Sequence, residues 1–174
     1  SSASAPDHRP IRQRFDRGDK SVLSRTVICA PRLDELFPKQ SLPMAEQFLS
    51  QHWIESLQSA FLCRAFARVM ELPNSEDAFF AGLLYRIGEL VLLAQEKQDY
   101  LSLMLQHGDP LQRRRLEREH YQINASQLGK QVLQQLHLPQ SWLDAALFCD
   151  QPTDRILTAH PVTRLVHVAH QIVS

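Results

Sequence analysis

Arg86 and Glu89 stand three residues apart in a helix-forming run, so a guanidinium and a carboxylate can meet across one turn. Such a pair contributes about 0.2–0.5 kcal/mol when exposed and mainly fixes orientation when buried. His167 and His170 share that spacing, which can suit a metal ion, but Val166 and Ala169 lie on the same helix, so histidines hydrogen-bonded near a core are the better expectation. Arg113, Arg114, Arg115 and Arg118 form the densest basic cluster and could meet nucleic-acid phosphates. Glu117 and Glu119 interleave with them and no aromatic series accompanies them, so a solvated helix face is expected and nucleic-acid binding is not favoured. Cys63, between Leu62 and Arg64, has no evident activating base and reads as a buried, inert thiol. Ser56 and Ser59 have His52 nearby, yet no nucleophile elbow or orienting acid accompanies them, which leaves serine-hydrolase chemistry without support.

The elements that must position these groups are helices. Only five glycines occur in 174 residues, and apolar residues recur at spacings of three and four rather than two, so the class is all-α, a compact bundle of multiple helices. Residues 1–18, rich in Ser, Pro and Arg, read as a linker or flexible segment that joins something upstream. Residues 19–43 read as a short helical remnant, weakly helical over Asp19–Ile28, followed by a connection punctuated by Pro31, Pro38 and Pro43. A helix near Met44–His52 comes next. From Ile54 the spacing predicts a helix with one apolar stripe of Ile54, Leu57, Phe61, Ala65 and Val69, with Leu62 and Phe66 beside it, ending at Leu72-Pro73.

Asn74 with Asp77 predicts a cap for a helix apolar on nearly every side, running from Ala78 through Val91 and therefore central. Asp99 starts a short helix through Leu105, and Asp109-Pro110 starts the next. Asn124 and Gln127 have capping-box spacing ahead of Leu128, Val132 and Leu133. A helix holding Trp142, Ala146 and Leu147 follows, and the last begins after His160-Pro161 and buries Val162, Leu165, Val166 and Ala169.

Nineteen basic residues balance nineteen acidic ones, which gives no global field for steering polyanions or an anionic membrane surface. The cysteines, Cys29, Cys63 and Cys149, form no Cys-x-x-Cys, which favours neither a disulfide framework nor a thiolate metal site, and a reducing cytoplasm is expected. No apolar run approaches the roughly 18 residues a membrane span needs.

The string Asp77-Ala78-Phe79-Phe80-Ala81-Gly82-Leu83-Leu84-Tyr85-Arg86-Ile87-Gly88-Glu89-Leu90 resembles the central helix of the HDOD family, bacterial relatives of HD and HD-GYP metal-dependent phosphohydrolases, where Ala-Gly-Leu-Leu-His-Asp-Ile-Gly-Lys-Leu is usual. Trp53 to Ala60, Glu117 to Gly129, Leu138-Pro139 and the closing Leu165 to His170 match in family order. The resemblance covers residues 44–174 as an HDOD/HD-like helical domain and is poor over the first forty.

In the metal-dependent relatives, the His-Asp pair, an earlier histidine and a late aspartate hold divalent metal that activates water against a phosphoester. Carried over by position, the resemblance puts Tyr85 and Arg86 at the His-Asp pair, Glu55 at the upstream histidine, Glu89 at the lysine, Asn124 at a further histidine and His170 at the late aspartate. Arginine is permanently protonated and has no acceptor, so it repels a cation from the centre of such a cage. The resemblance therefore implies a degenerate metal site, no catalysis and no cofactor. What remains is a signal-transduction module acting through a protein partner or an attached signalling domain. Two alternatives stand beside it: a nucleotide or cyclic-dinucleotide sensor with Arg86 and Tyr85 binding the anion, and, less favoured, a phosphohydrolase using Glu55, Glu89, His167 and His170.

Overall fold

The computed structural model describes residues 9–16 and 33–174, and every element among them is helical. In chain order these are α1 (Ile11–Asp16), α2 (Leu33–Leu36), α3 (Leu42–Val69), α4 (Ser75–Leu84), α5 (Ile87–Gln106), α6 (Pro110–Tyr121), α7 (Ala125–Gln135), α8 (Gln140–Phe148), a 3-10 turn at Thr153–Arg155, and α9 (Pro161–Val173). The weak helix expected over Asp19–Ile28 falls outside the described residues. Within the stretch read as a linker, α1 is helical, Ile11 is buried, and Arg14 pairs with Glu96 of α5 at 2.8 Å.

Local capping sets most of the boundaries. Asn74 accepts from the Glu76 and Asp77 amides, Asp109 from Gln112, and Asn124 from Gln127, whose side chain returns the bond to complete a capping box. His160 accepts from the Val162 amide ahead of Pro161. Three expectations require correction. The helices expected at 44–52 and from 54 are one 28-residue helix, α3, because no residue between Pro43 and Val69 breaks the ladder. The central helix is interrupted: α4 ends at Leu84, Tyr85 and Arg86 carry the break, and α5 restarts at Ile87. A second departure from helical geometry, at Lys97 (φ 50), divides α5 ahead of Asp99.

The third correction concerns which face of α3 is inside. Ile54, Leu57, Phe61, Ala65 and Val69 are all exposed, whereas Ala45, His52, Ser56, Ser59, Ala60, Cys63 and Ala67 are buried. Small residues win the inner face because α4 presses so closely on α3. A Cβ on Gly82 would lie 2.9 Å from Cys63 Sγ and 3.0 Å from Ala60 Cα. A second close crossing joins α5 to α7, where a Cβ on Gly88 would lie 1.9 Å from the Ala125 carbonyl oxygen.

The core has two apolar clusters. One gathers Ile11, Phe37, Ala45, Val91, Leu92, Tyr100, Leu101 and Leu128 from α1, α3, α5 and α7, with Phe37 at the end of α2. The other gathers Cys63, Ala78, Tyr85, Leu133, Trp142, Leu143, Val166 and Ala169 from α3, α4, α7, α8 and α9. Ile87 packs against both, so Arg86 and Glu89 fall in the chain where the clusters meet.

Candidate functional site

Glu89, in the first turn of α5, is only 1% exposed and forms the hub of a buried ionic network. Its Oε1 accepts from Arg114 Nη2 at 2.7 Å. Its Oε2 accepts from Arg86 Nε at 3.1 Å and Nη2 at 2.9 Å, and from His52 Nδ1 at 3.3 Å. The break at Tyr85 and Arg86 makes this possible by freeing the guanidinium at the start of α5 to fold back on Glu89 while its Nη1 donates to Glu55 on α3.

Arg114, on α6, engages three carboxylates at once. Besides Glu89 it donates from Nη1 to Glu117 at 2.8 Å and from Nε to Asp150 at 2.8 Å. Glu117 also accepts from the Ala125 amide at 2.7 Å, which places its charge at the N-terminus of α7, and from the Tyr100 hydroxyl at 3.1 Å. Asp150 accepts from Ser126 at 3.1 Å and lies 3.3 Å from His170 Nε2. An ionised Asp150 accepts from His170 Nε2, and His170 Nδ1 meets the Tyr85 hydroxyl at 3.0 Å and the Ser174 hydroxyl at 2.8 Å.

Electrostatics hold these groups in fixed charge states. Burial pushes the Glu89 carboxyl up, but Arg86 and Arg114 outweigh it and hold the acid well below its ordinary range. Burial likewise opposes ionisation of Asp150, yet the His170 hydrogen bond and the Arg114 charge keep it below the usual aspartate value. Burial would lower both arginines, but Glu89 foremost among their carboxylate neighbours raises them, so both stay charged. Glu117 goes the other way: burial prevails over Arg114 and the Ala125 amide and raises it above 4.5. Burial also raises Tyr85, which keeps its proton. Four carboxylates thus face two guanidiniums, and the raised Glu117 lessens the negative excess.

The donors of this set are already engaged with one another. Both oxygens of Glu89 and both of Asp150 are engaged by cationic or hydrogen-bonding groups, and two permanent cations stand among them. A divalent ion entering here would have to displace Arg86 or Arg114 from its carboxylates. The gap bounded by Tyr85, Arg86, Glu89, Arg114, Ser126 and Cys149 leaves no space for a water-sized body. Beside it, Arg118, Asn124, Gln127 and Asp150 line a cleft of about 280 Å³, just under the roughly 300 Å³ at which small-molecule pockets begin. A roomier groove, about 830 Å³, lies away from the network between α1, α5 and α6, walled by Arg14, Lys97 and His120.

Of the residues singled out from the motif, Glu55, Tyr85, Arg86, Glu89 and His170 belong to this one network, while Asn124 caps α7 at its edge. His167 does not join it: Nδ1 meets the Cys149 carbonyl at 3.1 Å and Nε2 meets Thr153 at 3.1 Å. Among the described residues no group of three or more His, Cys, Asp or Glu is placed to hold a metal ion.

Sequence reasoning missed His52, Arg114, Glu117 and Asp150. The arginine cluster, expected on a solvated face, is divided: Arg115 and Arg118 are exposed, but Arg114 is 7% exposed and Glu117 fully buried. The available signal was their spacing of three beside partly buried Leu116, which turns both toward the core side of α6.

The fold has counterparts elsewhere. The sequence model of the HDOD domain matches residues 23–152, three quarters of the chain, starting upstream of the residues 44–174 read from the motif. Among solved structures, the MmoQ response regulator from Methylococcus capsulatus str. Bath superposes with a TM-score of 0.64 at 22% identity, over 80% of this chain and 51% of that one. A "putative phosphohydrolase" from Shewanella amazonensis SB2B superposes with a TM-score of 0.60 at 18% identity, over 94% of this chain and 58% of that one. At these identities the likeness is one of fold, and the chain spans little more than half the length of either protein. No curated protein sequence matches it. The helical fold and the matched interval agree, and the chain belongs to the HDOD domain family.

Proposed function

We propose that this chain is a non-catalytic regulatory module of bacterial signal transduction that acts through protein–protein contact, with an HD-type metal site converted into a salt-bridge lock. The observation that carries this reading is the Arg86–Glu89–Arg114 core, in which guanidiniums occupy the space between carboxylates that a cation would need. The lock ties α3, α5, α6 and α9 to the α8–α9 connection through Glu55, Glu89, Arg114, His170 and Asp150. Moving one of these elements unpairs buried charge at several others, so the bundle favours discrete arrangements over gradual deformation, as an element passing state between an attached domain and a partner requires. A response regulator among the proteins of like fold is in keeping with that role.

The sensing alternative would have a nucleotide displace Glu55 and Glu89 from Arg86 and His170 from Tyr85, in a gap without room for water, and is not adopted. A cytoplasmic setting fits the two buried free thiols, Cys63 and Cys149, and no helix among the described residues is long and apolar enough to cross a membrane.

The test is turnover of bis(p-nitrophenyl) phosphate by the purified chain with manganese, alongside its metal content. The expected result is no turnover above blank and substoichiometric metal. Manganese-dependent turnover abolished by Glu89→Gln would overturn the reading.

A further inference from the structure

Outward-facing residues of α3 repeat at alternating spacings of three and four: Gln47, Ser50, Ile54, Leu57, Phe61, Arg64 and Arg68. That is the a/d seam of a coiled coil. Its apolar centre is solvent-exposed, with Ile54 at 51%, Leu57 at 43% and Phe61 at 52%. The seam does not stop at one helix. Phe61 meets Phe79 edge-on at 5.4 Å, Phe79 meets Phe80, and Phe80 is itself 45% exposed, so α4 widens the patch.

The charge along the seam identifies what covers it. Exposed Glu46 stands at its N-terminal end and Arg64 and Arg68 at its C-terminal end, with apolar residues between. Laid antiparallel on itself about a two-fold axis at Leu57, the seam sets Glu46 against Arg68 and brings Ile54 within one residue of the level of Phe61. Laid parallel, it stacks arginines on arginines. Arg68 is free to take this partner, because its side chain is 64% exposed and its own contact to Glu76 is a loose 3.7 Å. From Glu46 to Arg68 the seam runs about 33 Å. With Phe80 and the polar rim, it can cover on the order of 600–800 Å² per copy, enough for a stable isologous interface.

We infer that the outward face of α3 is the docking surface for a second copy of this chain, paired antiparallel about Leu57 through the Ile54–Leu57–Phe61 seam. This inference stands independently of the buried network, since none of its residues enters the lock.

Sedimentation velocity of the purified chain from 1 to 500 µM, a span of roughly three decades suited to micromolar self-association, is the test. A concentration-dependent dimer is expected. Leu57→Glu should abolish it with an unchanged helical circular dichroism spectrum, because the residue is exposed. Glu46→Arg and Arg68→Glu should each weaken the dimer about tenfold, while the double variant should recover to within about threefold of the parent. A chain that stays monomeric throughout overturns the inference, as does a dimer that survives Leu57→Glu or a double variant no tighter than the singles.

Discussion

Replacing Arg114 by alanine removes the one cation shared by Glu89, Glu117 and Asp150, and the consequences follow from the geometry. Three carboxylates, none more than 7% exposed in its side chain, lose their common partner. Glu89 keeps Arg86 and His52, and Asp150 keeps His170, so neither is fully stranded. Glu117 keeps only the Ala125 amide and the Tyr100 hydroxyl and will take up a proton. Removing one partner from a buried ionic cluster costs about 3–5 kcal/mol. At about 2–4 °C per kcal/mol for a chain of this size, the melting midpoint should fall by roughly 6–20 °C. Circular dichroism melts at pH 7 read this directly, with Arg115→Ala as control, since exposed Arg115 should change stability by no more than about 0.5 kcal/mol. If Arg114→Ala melts within a degree or two of Arg115→Ala, the network holds nothing together and the reasoning fails.

Other outcomes follow from the same geometry. Glu89 and Asp150 have folded values below their ordinary 4.5 and 3.8, so an unfolded chain binds more protons in acid. Their stabilisation is full above those ordinary values and is lost as pH falls through the depressed folded ones, so Glu89→Gln and Asp150→Asn should flatten the acid limb of a stability–pH profile below about pH 4.5. Glu117, raised, has the opposite sign, and Glu117→Gln should cost less at pH 7 than Glu89→Gln in urea unfolding. Gly88→Ala forces a Cβ to 1.9 Å from the Ala125 carbonyl oxygen and should cost about 3 kcal/mol or more, whereas Gly129→Ala meets its nearest atom at 3.4 Å and should stay within about 1 kcal/mol in the same unfolding assay. Cys63 is pushed up to about 12 by burial and Cys149 is raised further, so a disulfide reagent at pH 8 should label neither until the chain unfolds, as peptide mapping would show.

What could be read from sequence was local. Asn74, Asp109, Asn124 with Gln127, and His160 cap helices through bonds spanning two or three residues, and these start sites stand where the spacing puts them. Arg86 and Glu89 pair across one turn for the same reason. The rest depended on partners distant in the chain. Arg114 finds Glu89 across 25 positions and Asp150 across 36, and no periodicity on α6 announces that its arginine enters the core. On α3 the larger apolar side chains misdirected the reading, because around Ser59, Ala60 and Cys63, where α4 crosses, the inner face has room only for small residues. The break at Tyr85 and Arg86 was invisible for a related reason: Gly88 is the one weak helix former beside it, and its close crossing on α7 is a tertiary contact.

The central claim, that a salt-bridge lock stands in place of a ligand site, is tested most directly by the unfolding temperature of the purified chain alone and with manganese, simple nucleotides and cyclic dinucleotides at millimolar concentration. A ligand at 100 times its Kd adds about 2.7 kcal/mol, which would raise the midpoint by roughly 5–10 °C. The account predicts no shift with any of them, and a shift of that size with manganese or with one nucleotide, lost in Arg86→Ala, would contradict it.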